Sequence, residues 1–166
     1  MAVCDSGCKT DVPCPYGNAC GVTTKPGGIV FIGFIRCDYE FTDITDNCEW
    51  ENAILNRDAV WSNMLVGEKR KATFVKKETH CGPEQVMGGE KSIEFKDYNT
   101  GVITTVYDFW NTILANPEAY RLVFLTCDGW LYGPIDDFTI EVDEIIEAGS
   151  NGVRYIEGTI YWNSTI

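Results

Sequence analysis

The sequence predicts a mainly β protein: a β-sandwich or barrel-like sheet pair with one flanking α-helix, preceded by a short helix near the N-terminal side. Short runs between residues 90 and 162 alternate apolar and polar side chains, which gives each strand one apolar face and one solvent face. One segment among them repeats its apolar side chains at helical spacing instead. Turn-forming residues separate the runs at intervals typical of a sandwich or barrel.

The first predicted strand is the unbroken apolar run Ile29–Ile35. Its length is typical of a strand buried on both faces, and Gly33 marks a bulge or a close approach of another chain segment. A further strand is expected between residues 67 and 77. Alternating runs predict four more strands, at Ser92–Lys96, Arg121–Thr126, Phe138–Asp143 and Tyr155–Trp162. The segment His80–Gly89 contains glycines and a proline, and is predicted to be a loop.

Two helices are predicted from side-chain spacing. The main helix spans Val106–Leu114, because its apolar side chains share one stripe. That stripe consists of Val106, Phe109, Trp110, Ile113 and Leu114. Asn116-Pro117 should end this helix, since a residue before proline disfavours helical geometry. The short helix is expected at Cys48–Asn56, with Asp46 as N-cap and Glu49 completing a capping box.

Two hairpins are predicted from turn residues. Asp128-Gly129 lies between the apolar pairs Leu125-Thr126 and Leu131-Tyr132, which is typical of a two-residue primed turn with Gly129 at positive φ. The sequence Gly149-Ser150-Asn151-Gly152 predicts a second hairpin, between the last two strands.

Length and composition predict one domain at residues 29–166, preceded by a Cys-, Gly- and Pro-rich arm at residues 1–28. Four of the eight cysteines lie in this arm, at positions 4, 8, 14 and 20. Their spacing does not match the paired spacing of structural zinc sites. Disulfides or free thiols, a metal knot, and no specific role all remain open for them. Cys37 and Cys127 fall in strand patterns and are predicted to be small core residues.

The formal net charge of −12 argues against wrapping nucleic acid, because affinity for a phosphate backbone comes mainly from Lys and Arg. An acidic surface would let DNA pass without sticking, or would attract a basic partner. No apolar run approaches the roughly 20 residues that a membrane helix needs. No signal peptide is visible, which predicts synthesis in the cytosol.

No catalytic constellation emerges from the residue pattern. The only histidine, His80, adjoins Cys81, and neighbouring loop residues rarely face each other as a Cys–His nucleophile pair must. The acids around Glu141 and Asp143 alternate with apolar residues, which fits the solvent face of a strand better than a glycosidase carboxylate pair. Calcium-loop and phosphate-loop spacings are missing. We therefore predict no enzyme, no cofactor, no metal and no small-molecule substrate.

The charges are segregated along the chain, and this predicts an interface. The basic segment consists of Lys69, Arg70, Lys71, Lys76 and Lys77. The acidic segment consists of Asp136, Asp137, Glu141, Asp143 and Glu144. Complementary surfaces of this kind suit the contact between neighbouring copies in a closed ring. The alternative is that both segments are solvated faces, which would each contribute little.

Several short motifs, in this order, resemble a known group of proteins. They are Trp50-Glu51-Asn52-Ala53-Ile54, the run from Ser92 to Tyr98, Asp108-Phe109-Trp110-Asn111, and Thr126-Cys127-Asp128-Gly129. Together they resemble small virion structural proteins, of the tail-tube and head–tail ring kind, from tailed phages of Bacteroidetes, including crAss-like phages. The resemblance spans about residues 28–166 and implies a β-sandwich with a flanking helix, assembled into closed rings. It transfers no functional residues, because such rings act through surfaces.

The leading hypothesis is therefore a virion structural protein, made in the bacterial host cytoplasm. It would form a homo-oligomeric tail-tube or head–tail connector ring with neighbouring virion proteins, through which DNA passes without specific binding. The alternative is a non-enzymatic protein-binding module whose N-terminal arm is stapled by disulfides or a metal. A small hydrolase built on the acid clusters is the third possibility.

Overall fold

The computed structural model describes residues 28–79, 82–99 and 103–165. Within these residues the chain forms nine strands, two α-helices and one short 3-10 turn. In chain order they are β1 (Ile29–Arg36), α1 (Asn47–Leu55), β2 (Ala59–Trp61), β3 (Val66–Lys69), β4 (Thr73–Thr79), β5 (Gly82–Asp97), α2 (Ile103–Ala115), the 3-10 turn (Pro117–Ala119), β6 (Tyr120–Thr126), β7 (Leu131–Ile135), β8 (Phe138–Ile146) and β9 (Arg154–Thr165). Apart from residue 28, the predicted arm lies outside the described residues.

All the described strands belong to one antiparallel sheet, in the order β7-β6-β1-β3-β5-β9-β8, with β2 added to β1 and β4 added to β5. The first and last strands of this order, β7 and β8, are separated in sequence only by residues 136 and 137. The sheet therefore curls until its ends approach. Across the curl, the Phe34 and Phe138 rings lie 5.7 Å apart between centroids. The mainly β class with a flanking helix is confirmed, and the predicted sheet pair is two halves of one continuous, barrel-like sheet.

Helix α2 packs inside the curl and fills the main core. The Trp110 indole is fully buried, stacks on Phe95 at 4.5 Å and meets Phe34 edge-on at 6.1 Å. The helix is longer than predicted at its start, and it ends before Asn116-Pro117 as predicted. Of the predicted stripe, Leu114 remains 38% exposed because it lies at the margin of the stripe in the last turn.

A second, smaller core covers the other face of β1, where α1 packs on the sheet. Trp50 and Ala53 of α1 contact Ile35 of β1 and Val123 of β6 there. Gly33 makes this packing possible, because a Cβ at that position would lie only 2.7 Å from the Trp61 ring. The predictions of a strand buried on both faces and of a close approach at Gly33 are confirmed.

The start of α1 confirms one predicted cap and corrects the other. The Asp46 carboxylate accepts a hydrogen bond from the Cys48 N–H at 2.9 Å, as an N-cap should. Glu49 does not complete a capping box. Its carboxylate accepts from the backbone N–H groups of Thr42 and Asp43, at 2.6 and 2.8 Å. The Asp46 N–H donates to the Asp43 carbonyl instead, so the hydrogen bond that Glu49 would accept in a capping box is not formed.

The predicted loop at His80–Gly89 is wrong, because β5 begins at Gly82 and continues to Asp97. Gly89 lies where the paired strand β4 approaches β5 closely, because a Cβ at this position would lie 2.5 Å from the Thr73 carbonyl oxygen. The pairing of β4 with β5 also shifts register beside Gly88, which has a φ of +152°. These glycines permit a bulged strand pair instead of a turn. His80 and Cys81 lie outside the described residues.

Both predicted hairpins are present, but the first turn has a different length. Thr126 donates its N–H to the Trp130 carbonyl and accepts from the Gly129 N–H, both at 3.0 Å. Three residues therefore form the loop, with Gly129 at a φ of +88° as predicted. Cys127 lies in this exposed loop and Cys37 follows the end of β1, so the prediction that both are core residues is wrong.

We predict that Trp110→Ala lowers the free energy of unfolding by about 3–5 kcal/mol, because the lost indole leaves a cavity between the helix and the sheet. Tyr107→Ala, on the exposed side of the same helix, is the matched control and should change it by about 0.5 kcal/mol or less. Urea unfolding of both variants measures the difference. Equal midpoints for the two variants would contradict the packing of this helix.

We also predict that Gly129→Val destabilises the fold by about 1–3 kcal/mol, because a β-branched residue is strained at positive φ. No atom lies within 4 Å of the position that a Cβ would take, so crowding contributes nothing. Gly129→Asn should cost distinctly less, since Asn tolerates this backbone conformation. Thermal unfolding of the pair separates backbone strain from any general effect of adding a side chain.

Candidate functional site

A hairpin extends beyond the body of the sheet. Strand β5 pairs with β9 only from Gly88 onwards, whereas its earlier residues pair with β4 alone, as in Lys76 opposite Val86 and Lys77 opposite Gln85. We call β4 and the part of β5 before Gly88 the projecting hairpin. Phe74 and Val75 on β4 are 45% and 63% exposed. An isolated two-stranded hairpin is marginally stable at best, and here its base carries apolar side chains in water.

The basic segment lies along this hairpin and the connection leading to it. Lys69 ends β3, Arg70 and Lys71 lie between β3 and β4, and Lys76 and Lys77 lie on β4; all five are exposed. Their electrostatic states differ. Lys69, Lys71 and Lys77 form no ion pair with another described residue, so their charges are available to a partner.

Arg70 is held within its own chain. Its guanidinium contacts the carboxylates of Glu94 and Glu68, at 2.7 and 2.9 Å. The hydrogen bond with Glu94, followed by the charge of Glu68, raises the pKa of Arg70. Of the basic segment, Arg70 is therefore the residue least available to another copy.

The acidic segment lies at one end of the strand order, on β8 and the turn before it. Asp136 and Asp137 form the turn from β7 to β8, and Glu141 and Asp143 project from β8 into solvent. These two alternate with apolar residues that face the core, which confirms the predicted solvent face. Glu144 differs from the others, because its carboxylate forms an ion pair with Arg154 on the neighbouring strand β9.

Within one chain the structure does not bring the two segments together. Strands β5 and β9 separate β4 from β8 in the sheet. An exposed contact bridges part of this gap: Lys96 on β5 lies 3.9 Å from Glu157 on β9. If the basic and acidic segments meet, they must do so between two copies.

The sequence pattern did not reveal which strands would have open edges. Among the described strands, β4 pairs only with β5, β8 only with β9, and β7 only with β6. Each therefore has one row of backbone N–H and C=O groups without a strand partner in the described sheet. Edge position depends on pairing order, and a single strand's residue pattern does not encode it.

A buried acid, Asp97, was also missed. It is almost fully buried at the end of β5 and accepts hydrogen bonds from the Trp110 indole at 3.2 Å and from two nitrogens of Asn99 at 3.0 Å. The Asn99 side chain also donates to the Met64 carbonyl at 2.6 Å. Both carboxylate oxygens are occupied, so Asp97 ties β5 to α2 and to the loop before β3. In the sequence, Asp97 is one acid at the end of an alternating strand, and nothing in that pattern indicates that it is buried.

An apolar cavity of about 520 Å³ lies between α2 and the end of α1. Ile54, Val60 and Phe109 contribute apolar walls. Arg36 and Asp58 in its lining pair with each other at 2.8 Å, and Arg57 also lines it. This cavity therefore has room for an apolar group, and two of its three charged lining residues are directed at each other.

Among the described residues, no three His, Cys, Asp or Glu side chains come close enough together to hold a metal ion. The described helices are too short, or too polar, for any of them to cross a bilayer. Comparison with protein-family models, with curated proteins and with solved structures finds no match for this chain.

Proposed function

We propose that this chain is a non-enzymatic structural subunit of a phage virion, which assembles with copies of itself into a ring of the tail tube or head–tail connector. The projecting hairpin is the observation that carries the proposal. It exposes Phe74 and Val75 on a strand whose outer edge has no partner among the described strands. A surface of this kind is costly in an isolated chain and useful in an assembly.

The energetic argument concerns the apolar side chains of the hairpin. Moving a large apolar side chain fully out of water contributes roughly 1.5–3 kcal/mol. Phe74 and Val75 are about half exposed, so a neighbouring copy that covers them gains a substantial part of that amount for each. Among the described strands, β4 pairs only with β5, and the part of β5 before Gly88 pairs only with β4. Assembly would therefore stabilise the least supported part of the fold.

The charge distribution supports a ring around DNA more than a complex with DNA. The net charge is −12, and the outer face of the sheet presents acids such as Glu94, Glu141 and Asp143. A channel with an acidic lining would repel the phosphate backbone and let DNA slide. Lys69, Lys71 and Lys77, which form no ion pair with another described residue, lie in one segment, where a neighbouring subunit would meet them together.

The sites best suited to chemistry have structural uses in this fold. The buried carboxylate Asp97 holds the helix to the sheet, and the charged pair at the apolar cavity is mutually neutralised. The alternative of a protein-binding module depends on the N-terminal arm, whose cysteines lie outside the described residues. No observation in the described chain favours it over assembly.

The purified full-length chain should form rings with a single stoichiometry by native mass spectrometry and negative-stain electron microscopy. The double variant Phe74→Ser, Val75→Ser should remain folded but shift toward monomer, because it loses the apolar contact of the hairpin. Leu55→Ser, which changes an even more exposed apolar residue on α1, is the control and should leave assembly intact.

A wild-type chain that stays monomeric at its highest accessible concentration would contradict the proposed function. A virion role further requires that mass spectrometry detect the chain in purified phage particles encoded by the same genome. Rings without any presence in such particles would support assembly and contradict the virion assignment.

A further inference from the structure

We infer that the open edge of β4 in one copy pairs antiparallel with the open edge of β8 in the next copy, so that the sheet continues from subunit to subunit. This inference rests on the proposed function and names the contact that would carry it. Strand β4 has seven residues and β8 has nine, so β8 is long enough to accept β4. Main-chain hydrogen bonds between the two edges would supply affinity, and the facing side chains would supply specificity.

One register matches the side chains along both edges. When Lys77 is placed opposite Asp143, antiparallel pairing puts Val75 opposite Ile145. The same register puts Phe74 opposite Ile146, which is 68% exposed. Opposite charges and apolar pairs directly across an antiparallel ladder are the contacts that stabilise it.

Shifting β4 by two residues along β8 in either direction keeps each side chain on its face of the sheet, but it pairs unlike side chains across the edge. Moving Lys77 to face Glu141 places Val75 opposite Asp143 and Phe74 opposite Glu144. Moving it the other way, to face Ile145, places Val75 opposite Glu147. Both shifts put an apolar side chain against an acid, so the edge sequences select one alignment.

In this register, the paired side chains of β4 in one copy and β8 in the next also lie on the same face of the continued sheet. On β8, Ile140 points into the core, so Asp143 and Ile145 lie on the outer face. On β5, Phe95 points into the core, so Gly88 lies on the outer face, and Val75 pairs with Gly88. Val75 and Ile145 thus lie on the same face, and pairing joins outer face to outer face.

The inferred contact has a direction, because it joins two different edges. Repeating a contact of this kind produces a closed ring when the rotation closes and an open filament when it does not. The same charges have another possible role: charged side chains on edge strands can prevent unwanted sheet-to-sheet pairing. A blocking charge works with either sign, so under this second role exchanging the charges should leave the association state unchanged.

The test exchanges the facing charges, using Lys77→Glu and Asp143→Lys in the full-length chain. Each variant alone places like charges at every contact and should weaken self-association by about two- to tenfold per contact. An equal mixture should recover assembly, because each contact between unlike variants again joins opposite charges. Native mass spectrometry with one variant labelled with ¹⁵N should show rings of equal composition and an even number of copies.

Two controls separate pairing from a general charge effect. The chain carrying both substitutions keeps the net charge of −12 and should assemble like the wild type. Lys71→Glu changes the same charge in the basic segment but off the β4 edge, so it should assemble like the wild type and should not bring Asp143→Lys into mixed rings. High salt should reduce the difference between the single variants and the wild type, since exposed charges are screened.

Hydrogen exchange on the wild-type oligomer provides a measurement without substitutions. Amides of β4 and β8 should exchange more slowly in the oligomer than in the diluted monomer. Wild-type rings with unprotected edges, or mixtures that never recover, would overturn the edge pairing while leaving the proposed function standing. A wild-type chain that forms no oligomer would overturn both.

Discussion

The fold depends on the packing of Trp110 inside the curled sheet. Its indole contacts Phe95 on β5 and Phe34 on β1, and its N–H reaches the buried carboxylate of Asp97. Helix α2 packs on the concave face of this sheet, where its buried residues Val106, Trp110 and Ile113 join the main core. Because a buried carboxylate is costly without hydrogen-bond donors, the Asp97–Trp110 contact also fixes the helix at one position along the strand.

The outer face of the same sheet has two different halves, one covered by helix α1 and one carrying charged side chains. Helix α1 covers the half formed by β1, β2 and β6, where Trp50 packs on Trp61 at 4.9 Å. No described helix covers the outer face of the half formed by β3, β5, β9 and β8, which carries charged side chains, including the Lys96–Glu157 pair. Val75 and Ile146, on the edge strands β4 and β8 of this half, are 63% and 68% exposed, and Val66 on β3 is 64% exposed. The edge strands therefore carry part of the exposed apolar surface of this half.

Much of the fold follows from local patterns in the sequence. Alternation identifies strands such as Phe138–Ile146, and helical spacing identifies α2 through Val106 and Trp110. The prediction of a loop at the glycines of β5 was wrong, because Gly88 and Gly89 allow the neighbouring strand β4 to approach closely. That approach cannot be seen without the partner strand. The candidate site shows the same limit. The charged segments are visible in sequence, whereas the open edges, the partners of Arg70 and Glu144, and the buried state of Asp97 depend on long-range pairing.

Four strands of the described sheet have an open edge, namely β2, β4, β7 and β8, and these edges are not equivalent. Strand β2 has only three residues. Strand β7 contains Pro134, which lacks the N–H that a further strand would need. Strands β4 and β8 contain no proline, so their outer backbone groups can pair along their length. The inferred growth through β4 and β8 therefore uses the two longest open edges among the described strands.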